Sequence, residues 1–374
     1  MRDPAINKKI LIIFGTRPEV IKLAPIISEA KSSRAFHVSV LATAQHRQML
    51  DQTLSVFSIT PDYDLDLMMP NQSLSSICSR IIAGVDDVLT KELPDAVVVQ
   101  GDTVTTFASA LAAYYRKIKV AHVEAGLRSH DRFDPFPEEI NRALISRFAD
   151  FNFCPTEGAR QNLLREGVDG NTIFVTGNTV VDTLIQTLER PYVPTTDVLS
   201  TIDPKDPIIL LTTHRRESFG KPMENVFRAL RTIADSNPRV HVVFPVHPNP
   251  NVRDNAAQIL AGHERIHLIS PVPYLEFVHL LKRAHLIVSD SGGICEEAPT
   301  LGKPVLLIRN VTERPEAIAS GTARLVGTDP KVIIEWVGRL LNDPDEYKTF
   351  VGRENPFGDG TASRRIVSIL KERL

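Results

Sequence analysis

The fold follows from the segment Leu286–Pro315, which reads LIVSDSGGICEEAPTLGKPVLLIRNVTERP. Its apolar runs Leu286–Val288 and Pro304–Ile308 predict two buried strands. A turn of small residues follows the first strand, and a helix is expected to start near Ile294 with acidic residues in its first turn. Such a turn directs free backbone N–H groups and the positive end of a helix at one point, which is an arrangement that binds phosphate.

The side chains of this turn allow two interpretations. Gly292 and Gly293 lack a Cβ, so an anion can approach the backbone, and Ser291 adds a hydroxyl donor. Glu297 is placed to accept hydrogen bonds from ribose hydroxyls. Considered alone, these residues fit an ordinary capped turn about equally well. Arg314, in the loop that follows the second strand, adds a cation at the neighbouring strand end and favours phosphate binding.

Length and composition narrow the class of protein. With 374 residues, 43% of them hydrophobic, the chain is long enough for two domains of about 150–200 residues each. A net charge of −2 argues against nucleic-acid binding, which usually needs a basic face. Three cysteines without a CxxC pair fit a reducing compartment. Because no apolar run approaches the ~20 residues of a membrane span and the N-terminus lacks a signal-peptide pattern, we expect a cytoplasmic protein.

Short apolar runs recur along both halves of the chain, with helical periodicity between many of them. Runs of this kind predict parallel strands buried on both faces, and hence two doubly wound α/β domains of the Rossmann-like type. Prolines between residues 182 and 204 mark the expected boundary, so we predict domains at 1–182 and 183–360 and a C-terminal helix at 361–374 that packs back on the first domain. The predicted strands are Ile10–Phe14, Val38–Leu41, Ala96–Val99, Val120–Val123, Phe151–Cys154, Ile173–Val175, Ile208–Leu211, Val240–Phe244, Ile266–Ile269, Leu286–Val288, Val305–Ile308 and Arg324–Val326.

Polar side chains follow most of these strands, at the sheet edge where open parallel sheets bind ligands. Their number predicts two walls of one cleft. Pro18 fits the first turn of a helix and places Arg17 at its N-terminus, where a structural cation is unfavourable and an anionic ligand is the better explanation. Lys22 lies beyond that turn, and on position alone a solvated helix face is the favoured interpretation.

Three carboxylates are candidates for proton transfer. Asp102 and Glu124 follow two predicted strands, and Glu138 begins a predicted helix. If they converge, they raise one another's pKa, which is how proton-transferring acids arise. The alternatives are an ordinary helix start after Pro137 and an i,i+4 ion pair between Glu138 and Arg142.

Missing motifs limit the chemistry further. The sequence has no GxGxxG after its first strand, no GxxxxGK[ST] and no GxSxG, which argues against a nicotinamide cofactor, a P-loop and a serine nucleophile elbow. Asp62–Asp66 has DxD spacing, but a short exposed strand explains it better than a metal site. We therefore predict neither a cofactor nor a metal.

Taken together, the motifs resemble those of the non-hydrolysing bacterial UDP-N-acetylglucosamine 2-epimerases. The resemblance is collinear from about Lys9 to the C-terminus. It rests on GTRPE (15–19), TAQHR (43–47), QGDT (100–103), HVEAGLR (122–128), PEE (137–139), TGNT (176–179), HRRES (214–218), PVHP (245–248), DSGG (290–293) and RPE (314–316).

The resemblance implies a glycosyltransferase-B type fold, in which two Rossmann-like domains face each other across a cleft that holds the nucleotide sugar. It implies interconversion of UDP-N-acetylglucosamine and UDP-N-acetylmannosamine by anti elimination of UDP, through 2-acetamidoglucal, and re-addition. It also suggests a homodimer and implies no cofactor or metal. The product would enter polysaccharide biosynthesis, and the sequence leaves open whether this serves a surface polysaccharide or another glycan.

Residue roles are implied in the same way. The loop Val272–Phe277 would hold uracil through backbone and ring contacts, although Val272 stands where some members have Gln. Asn71 replaces an arginine that accompanies allosteric activation in some members, so we expect that activation to be weak or absent. The implied catalytic residues are Asp102, Glu124, Glu138 and His214; the implied substrate-binding residues are Arg17, Lys22, Phe277, Ser291, Gly292, Gly293, Glu297 and Arg314; the implied allosteric residues are Gln45, Gln48, Arg215 and His247.

Three other functions fit the same fold. A hydrolysing epimerase would release N-acetylmannosamine and UDP, a glycosyltransferase would need an acceptor, and a nucleotide-sugar sensor would need no acid–base groups. The three carboxylates and His214 favour proton chemistry on the sugar over the last two functions.

Overall fold

The computed structural model describes residues 8–43, 47–67, 69 and 72–374. The chain divides into two compact units, one formed by residues 1–185 together with 357–374 and the other by residues 186–356.

The first unit is a parallel α/β sheet with helices between its strands. Its strands are β1 (Lys8–Phe14), β2 (Phe36–Ala42), β3 (Tyr63–Asp64), β4 (Ala96–Gln100), β5 (Lys119–Val123), β6 (Phe151–Cys154) and β7 (Ile173–Val175). The helices are α1 (Arg17–Ser32), α2 (Arg47–Phe57), α3 (Leu74–Glu92), α4 (Val104–Tyr115), α5 (Glu138–Phe148), α6 (Glu157–Arg165) and α7 (Thr179–Leu188). The strands follow the order β3-β2-β1-β4-β5-β6-β7.

The second unit repeats this architecture with six parallel strands. They are β8 (Ile208–Thr212), β9 (His241–Pro245), β10 (Ile266–Ile269), β11 (Leu286–Ser289), β12 (Val305–Leu307) and β13 (Ala323–Leu325). The helices are α8 (Val198–Thr201), α9 (Lys221–Ser236), α10 (Pro250–Leu260), α11 (Tyr274–Arg283), α12 (Gly292–Glu297), α13 (Pro315–Ala319), α14 (Pro330–Asn342) and α15 (Pro344–Phe350). The strand order is β10-β9-β8-β11-β12-β13.

The predicted α/β class with two doubly wound parallel sheets is confirmed. All twelve predicted strands are present, each within two residues of its predicted ends. The central strands are continuously buried, as in β1, where residues 10–14 are at most 1% exposed, because helices cover both faces of a parallel sheet. The Asp62–Asp66 segment contains the short strand β3, as the non-metal interpretation expected.

A last helix, α16 (Ala362–Arg373), belongs to the first unit although the second unit precedes it in the chain. Its N-terminus is capped by the buried carboxylate of Asp182 on α7. Asp182 accepts hydrogen bonds from the Ser363 N–H (2.8 Å) and hydroxyl (2.6 Å) and from the Ala362 N–H (3.2 Å). The first unit is therefore built from two separate stretches of sequence.

In both sheets, the strand order reverses direction between two central strands. The reversal lies between β1 and β4 in the first unit and between β8 and β11 in the second. Connections leave such neighbouring strands in opposite directions, so a crevice forms at their carboxyl ends. The predicted site residues should lie beside these two points.

Two further features concern the whole chain. All three cysteines are free thiols. Among the described residues, no helix combines the length and the apolar character needed to cross a membrane.

Candidate active site

A buried carboxylate, Glu19, ties together the loops at the reversal point of the first sheet. One of its oxygens accepts hydrogen bonds from the N–H groups of Gly15 (2.8 Å) and Thr16 (2.6 Å), which follow β1. The other lies 2.6 Å from the Thr103 hydroxyl and 2.9 Å from the Thr106 hydroxyl, which follow β4. Sequence reasoning missed this role, although Thr16 and Glu19 have the spacing of a capping box.

The same loop needs glycine at position 15. A Cβ on Gly15 would lie 2.4 Å from the hydroxyl oxygens of both Thr43 and Thr105. These two hydroxyls are themselves hydrogen-bonded at 3.0 Å. Gly15 therefore lets the loop before α1 pack closely against residues that follow β2 and β4. Arg17, the first residue of α1, is exposed.

Glu124, immediately after β5, is held by three donors. Its carboxylate accepts hydrogen bonds from Lys22 and Gln100 and, at 3.1 Å, from the Asn178 amide. The residue has a positive φ of 67°, a conformation that persists in a non-glycine residue only where the surroundings hold it. Because side-chain exposure is 14% for Lys22 and 7% for Glu124, the solvated-face interpretation of Lys22 was wrong: its ammonium group is the counterion of Glu124.

Asp102, after β4, has a different environment. Its carboxylate lies 3.0 Å from the Arg142 guanidinium, and its carbonyl accepts a hydrogen bond from Asn141 (2.9 Å). Burial raises the pKa of Asp102 from 3.8 to about 6; Arg142 opposes this rise, whereas the charges of Glu124 and Glu138 add to it. Burial, rather than the predicted mutual repulsion of carboxylates, is thus the main cause.

Glu138, half-buried at the first residue of α5, lies close enough for its charge to act on Asp102. The i,i+4 pair proposed for it is replaced by another arrangement, in which Arg142 contacts Asp102 and, at 3.6 Å, Glu139. Glu139 in turn accepts hydrogen bonds from the backbone N–H groups of the loop before α5. The three predicted carboxylates therefore converge in the first unit.

His122 on β5 contacts the backbone next to Asp102, and sequence reasoning did not identify it as part of the site. Its imidazole is fully buried and contacts the Gly101 carbonyl through Nε2 at 2.7 Å. Burial lowers its pKa to about 4, so the ring is neutral and Nε2–H is the donor. This bond fixes the backbone directly before Asp102.

In the second unit, the buried carboxylate of Asp290 has the place that Glu19 has in the first. Its Oδ2 accepts hydrogen bonds from the Thr213 hydroxyl (2.8 Å), the His214 N–H (2.9 Å), the Arg215 N–H (3.0 Å) and the Ser218 hydroxyl (3.2 Å). The loop after β8 is thereby attached to the end of β11. His214 keeps 46% of its side chain exposed at this edge.

The turn of small residues between β11 and α12 has the predicted strand-turn-helix form, with one correction. Helix α12 begins at Gly292, with Ser291 as its N-cap, so Glu296 and Glu297 lie at its end and not in its first turn. Glu296 pairs with the predicted Arg314 at 2.5 Å. Gly293 follows Gly292 in the first turn, where backbone N–H groups lack helical partners.

Glu297 is oriented by a tyrosine that sequence reasoning did not single out. The buried Tyr274 hydroxyl donates a hydrogen bond to Glu297 Oε1 at 2.7 Å. Tyr274 starts α11, so residues 274–277 are helical rather than the loop that the resemblance implied. Phe277 is half-buried on this helix, and Val272 is only 8% exposed.

The residues implied for allosteric control are only partly described. His247 stacks on His214, with ring centroids 5.6 Å apart, and Arg215 pairs with Glu313 at 3.2 Å. Burial opposes ionisation of Glu313, but the hydrogen bond from Arg309 and the charges of Arg215 and Arg309 lower its pKa to about 2. Gln45 and Asn71 lie outside the described residues, as does the side chain of Gln48.

Comparison with known protein families gives matches along nearly the whole chain. A family model described as UDP-N-acetylglucosamine 2-epimerase matches residues 28–371. The UDP-N-acetylglucosamine 2-epimerase of Escherichia coli O157:H7 is 51% identical over 371 residues, which cover 97% of this chain and 98% of the relative. The protein of that name from Bacillus subtilis strain 168 is 48% identical over 362 residues, covering 97% and 94%.

Solved structures give the same result. UDP-GlcNAc 2-epimerase from Neisseria meningitidis, bound to UDP-GlcNAc, has a TM-score of 0.92 at 46% identity and covers 98% of this chain and 100% of that one. The Methanocaldococcus jannaschii epimerase, in complex with UDP-GlcNAc and UDP, has a TM-score of 0.81 at 37% identity, covering 97% and 99%. A glycosyltransferase of kitacinnamycin, with a TM-score of 0.66 at 12% identity and coverage of 98% and 99%, shares the fold alone.

Proposed function

Because this chain belongs to the UDP-N-acetylglucosamine 2-epimerase family, we propose that it interconverts UDP-N-acetylglucosamine and UDP-N-acetylmannosamine by inverting C2 of the sugar. A base removes the C2 proton while the C1–O bond breaks, which forms the C1–C2 double bond of 2-acetamidoglucal and releases UDP. UDP then adds back to C1 as a proton reaches the opposite face of C2. Substrate and product have the same oxidation state, so the reaction needs no redox cofactor.

The contrast between two carboxylates of the first unit carries this proposal. Glu124 accepts hydrogen bonds from the Lys22 ammonium group and from two amide donors, and such contacts favour the charged form of a carboxylate. Asp102, with a pKa of about 6, can hold a proton or release it near neutral pH. Two carboxylates whose environments differ in this way are typical of acid–base pairs, because one favours the charged form and the other can hold a proton. We assign proton removal from C2 to Glu124 and proton exchange on the opposite face to Asp102, with Glu138 beside it.

The departing diphosphate needs cations and N–H donors, because negative charge develops on it as the C1–O bond breaks. We propose that Arg17, His214, Arg314 and the N–H groups of α12 provide them. Glu297, which Tyr274 fixes in place, would accept hydrogen bonds from the ribose hydroxyls, and Phe277 would contact uracil. We also propose that the protein is cytoplasmic and that it forms a homodimer. Light scattering of the purified protein tests the dimer.

One experiment separates this function from its alternatives. The protein is incubated with UDP-N-acetylglucosamine in D₂O and followed by NMR. Formation of UDP-N-acetylmannosamine with deuterium at C2 supports the proposal, because the C2 proton exchanges with solvent. Free N-acetylmannosamine would indicate a hydrolysing enzyme, and unchanged substrate would indicate a transferase or a sensor. The control variant Glu157→Gln changes an exposed glutamate of the first unit. It should incorporate deuterium at C2 at the wild-type rate.

A further inference from the structure

Asp290 has one carboxylate oxygen that is saturated with donors and one that is not. Oδ2 accepts the four hydrogen bonds that attach the loop after β8. Within the described part of the chain, no group donates a hydrogen bond to Oδ1, although Asp290 is 0% exposed. A buried carboxylate oxygen without a donor costs free energy, so we expect a nearby group to donate a hydrogen bond to Oδ1.

The imidazole of His214 is the group positioned to be that partner. Its Nδ1 lies 3.6 Å from Asp290 Oδ1, somewhat longer than a hydrogen bond. Catalytic hydrogen bonds are often long until the reacting complex forms. The His214 backbone N–H is already fixed on the other oxygen of the same carboxylate, so a small rotation of the ring closes the gap.

We infer that Asp290 is a positioning residue that forms a His–Asp pair with His214, an inference that rests on the function proposed above. Asp290 accepts a hydrogen bond from Nδ1–H, which keeps a proton on Nδ1 and fixes the orientation of the ring. Nε2–H then points away from Asp290 and donates to the diphosphate as negative charge grows on it. Asp290 touches no reacting atom and acts through His214 alone.

The substitution Asp290→Asn tests this assignment. The amide oxygen can still accept hydrogen bonds from the N–H groups of His214 and Arg215, whereas the amide nitrogen places a donor opposite Nδ1. The ring should therefore switch to the tautomer protonated only on Nε2. Asp206→Asn is the matched control, because Asp206 lies 3.8 Å from another imidazole of the same unit, that of His241, at the opposite sheet edge.

The first readout is the ¹⁵N NMR spectrum of the histidine side chains, which distinguishes a protonated from an unprotonated Nδ1. We expect a protonated Nδ1 on His214 in the UDP-bound wild-type protein and an unprotonated one in Asp290→Asn. An unprotonated Nδ1 in both proteins would overturn the inference. If wild-type protein does not bind UDP, the proposed function fails, and the tautomer in the UDP-free protein then decides the His–Asp pair independently.

The second readout is a double-mutant cycle on UDP affinity, measured by calorimetry. Asp290→Asn and His214→Gln should each weaken UDP binding on the order of 10- to 100-fold, as expected for a charge-assisted hydrogen bond. In the His214→Gln background, Asp290→Asn should add less than about twofold, because coupled residues are not additive. A merely structural role would give additive losses, which would overturn the inference. Asp206→Asn should leave the affinity unchanged.

Discussion

The environment of Asp102 predicts that activity and stability change in opposite directions when its charge is removed. Its pKa is raised from 3.8 to about 6, so the folded protein disfavours the ionised form. At about 1.4 kcal/mol per pKa unit, ionised Asp102 destabilises the native state by about 3 kcal/mol. The favourable interaction with Arg142 is already contained in this figure, because Arg142 lowers the same pKa.

This destabilisation depends on pH in one direction only. Below about pH 4, Asp102 is protonated in both the folded and the unfolded chain, and the effect vanishes. Between that pH and the folded pKa of about 6, the folded chain binds more protons than the unfolded chain, so the free energy of unfolding falls as pH rises. Above this window the full destabilisation is present.

Asp102→Asn carries no charge at any pH and so escapes this destabilisation. The variant should be more stable than the wild-type protein by about 3 kcal/mol at pH 8 and similar to it near pH 4. Its turnover should fall by about 10²- to 10⁴-fold, because the variant lacks the group proposed to exchange a proton with C2. The exposed Asp87 of α3 provides the control variant Asp87→Asn.

The assay is urea unfolding of the three proteins at pH 4.5, 6 and 8, followed by circular dichroism, with turnover measured in parallel. The stability gain of Asp102→Asn should grow with pH, whereas Asp87→Asn should follow the wild-type protein throughout. If Asp102→Asn is less stable than wild type at pH 8, or if the difference does not vary with pH, the assigned environment of Asp102 is wrong.

Three further predictions concern binding and regulation. Glu124→Gln should retain UDP affinity in calorimetry but lose turnover by several orders of magnitude, and near-normal turnover would remove Glu124 from the chemistry. Arg17→Ala should weaken UDP binding and slow elimination together, because a cation at the start of α1 is proposed to contact the diphosphate; unaltered values would assign Arg17 a structural role. With Asn71 in place of arginine, the rate should depend hyperbolically on UDP-N-acetylmannosamine, and a sigmoidal curve rescued by traces of UDP-N-acetylglucosamine would contradict this.

The strands were predictable from the sequence because parallel strands covered on both faces must be apolar along their whole length. Runs such as Phe151–Cys154 and Ile266–Ile269 therefore match strand bounds without error. The site edge was predictable for a related reason, since polar residues that interrupt such runs can only lie at strand ends. Helix bounds were less certain, as Tyr274 shows, because proline permits both a loop and a first helical turn.

The partners of individual side chains were not predictable from local sequence. Lys22 and Glu124 are separated by 102 positions, and nothing in the residues around Lys22 distinguishes a buried counterion from a solvated one. The same holds for Asp290, whose donors lie more than 70 positions away. These pairings follow from the order of strands in the sheet, which local patterns do not specify.

The split of the first unit between two stretches of sequence has a consequence for synthesis. The second unit is one continuous segment, residues 186–356, whereas the first is completed only by residues 357–374. On the ribosome, which delivers the chain from its N-terminus, the Asp182 carboxylate has no hydrogen bonds from Ser363 until the whole second unit has been made. The first unit therefore begins to form before the second unit but is completed after it. A nascent chain stalled before α16 would expose the apolar surface of α1 that this helix covers.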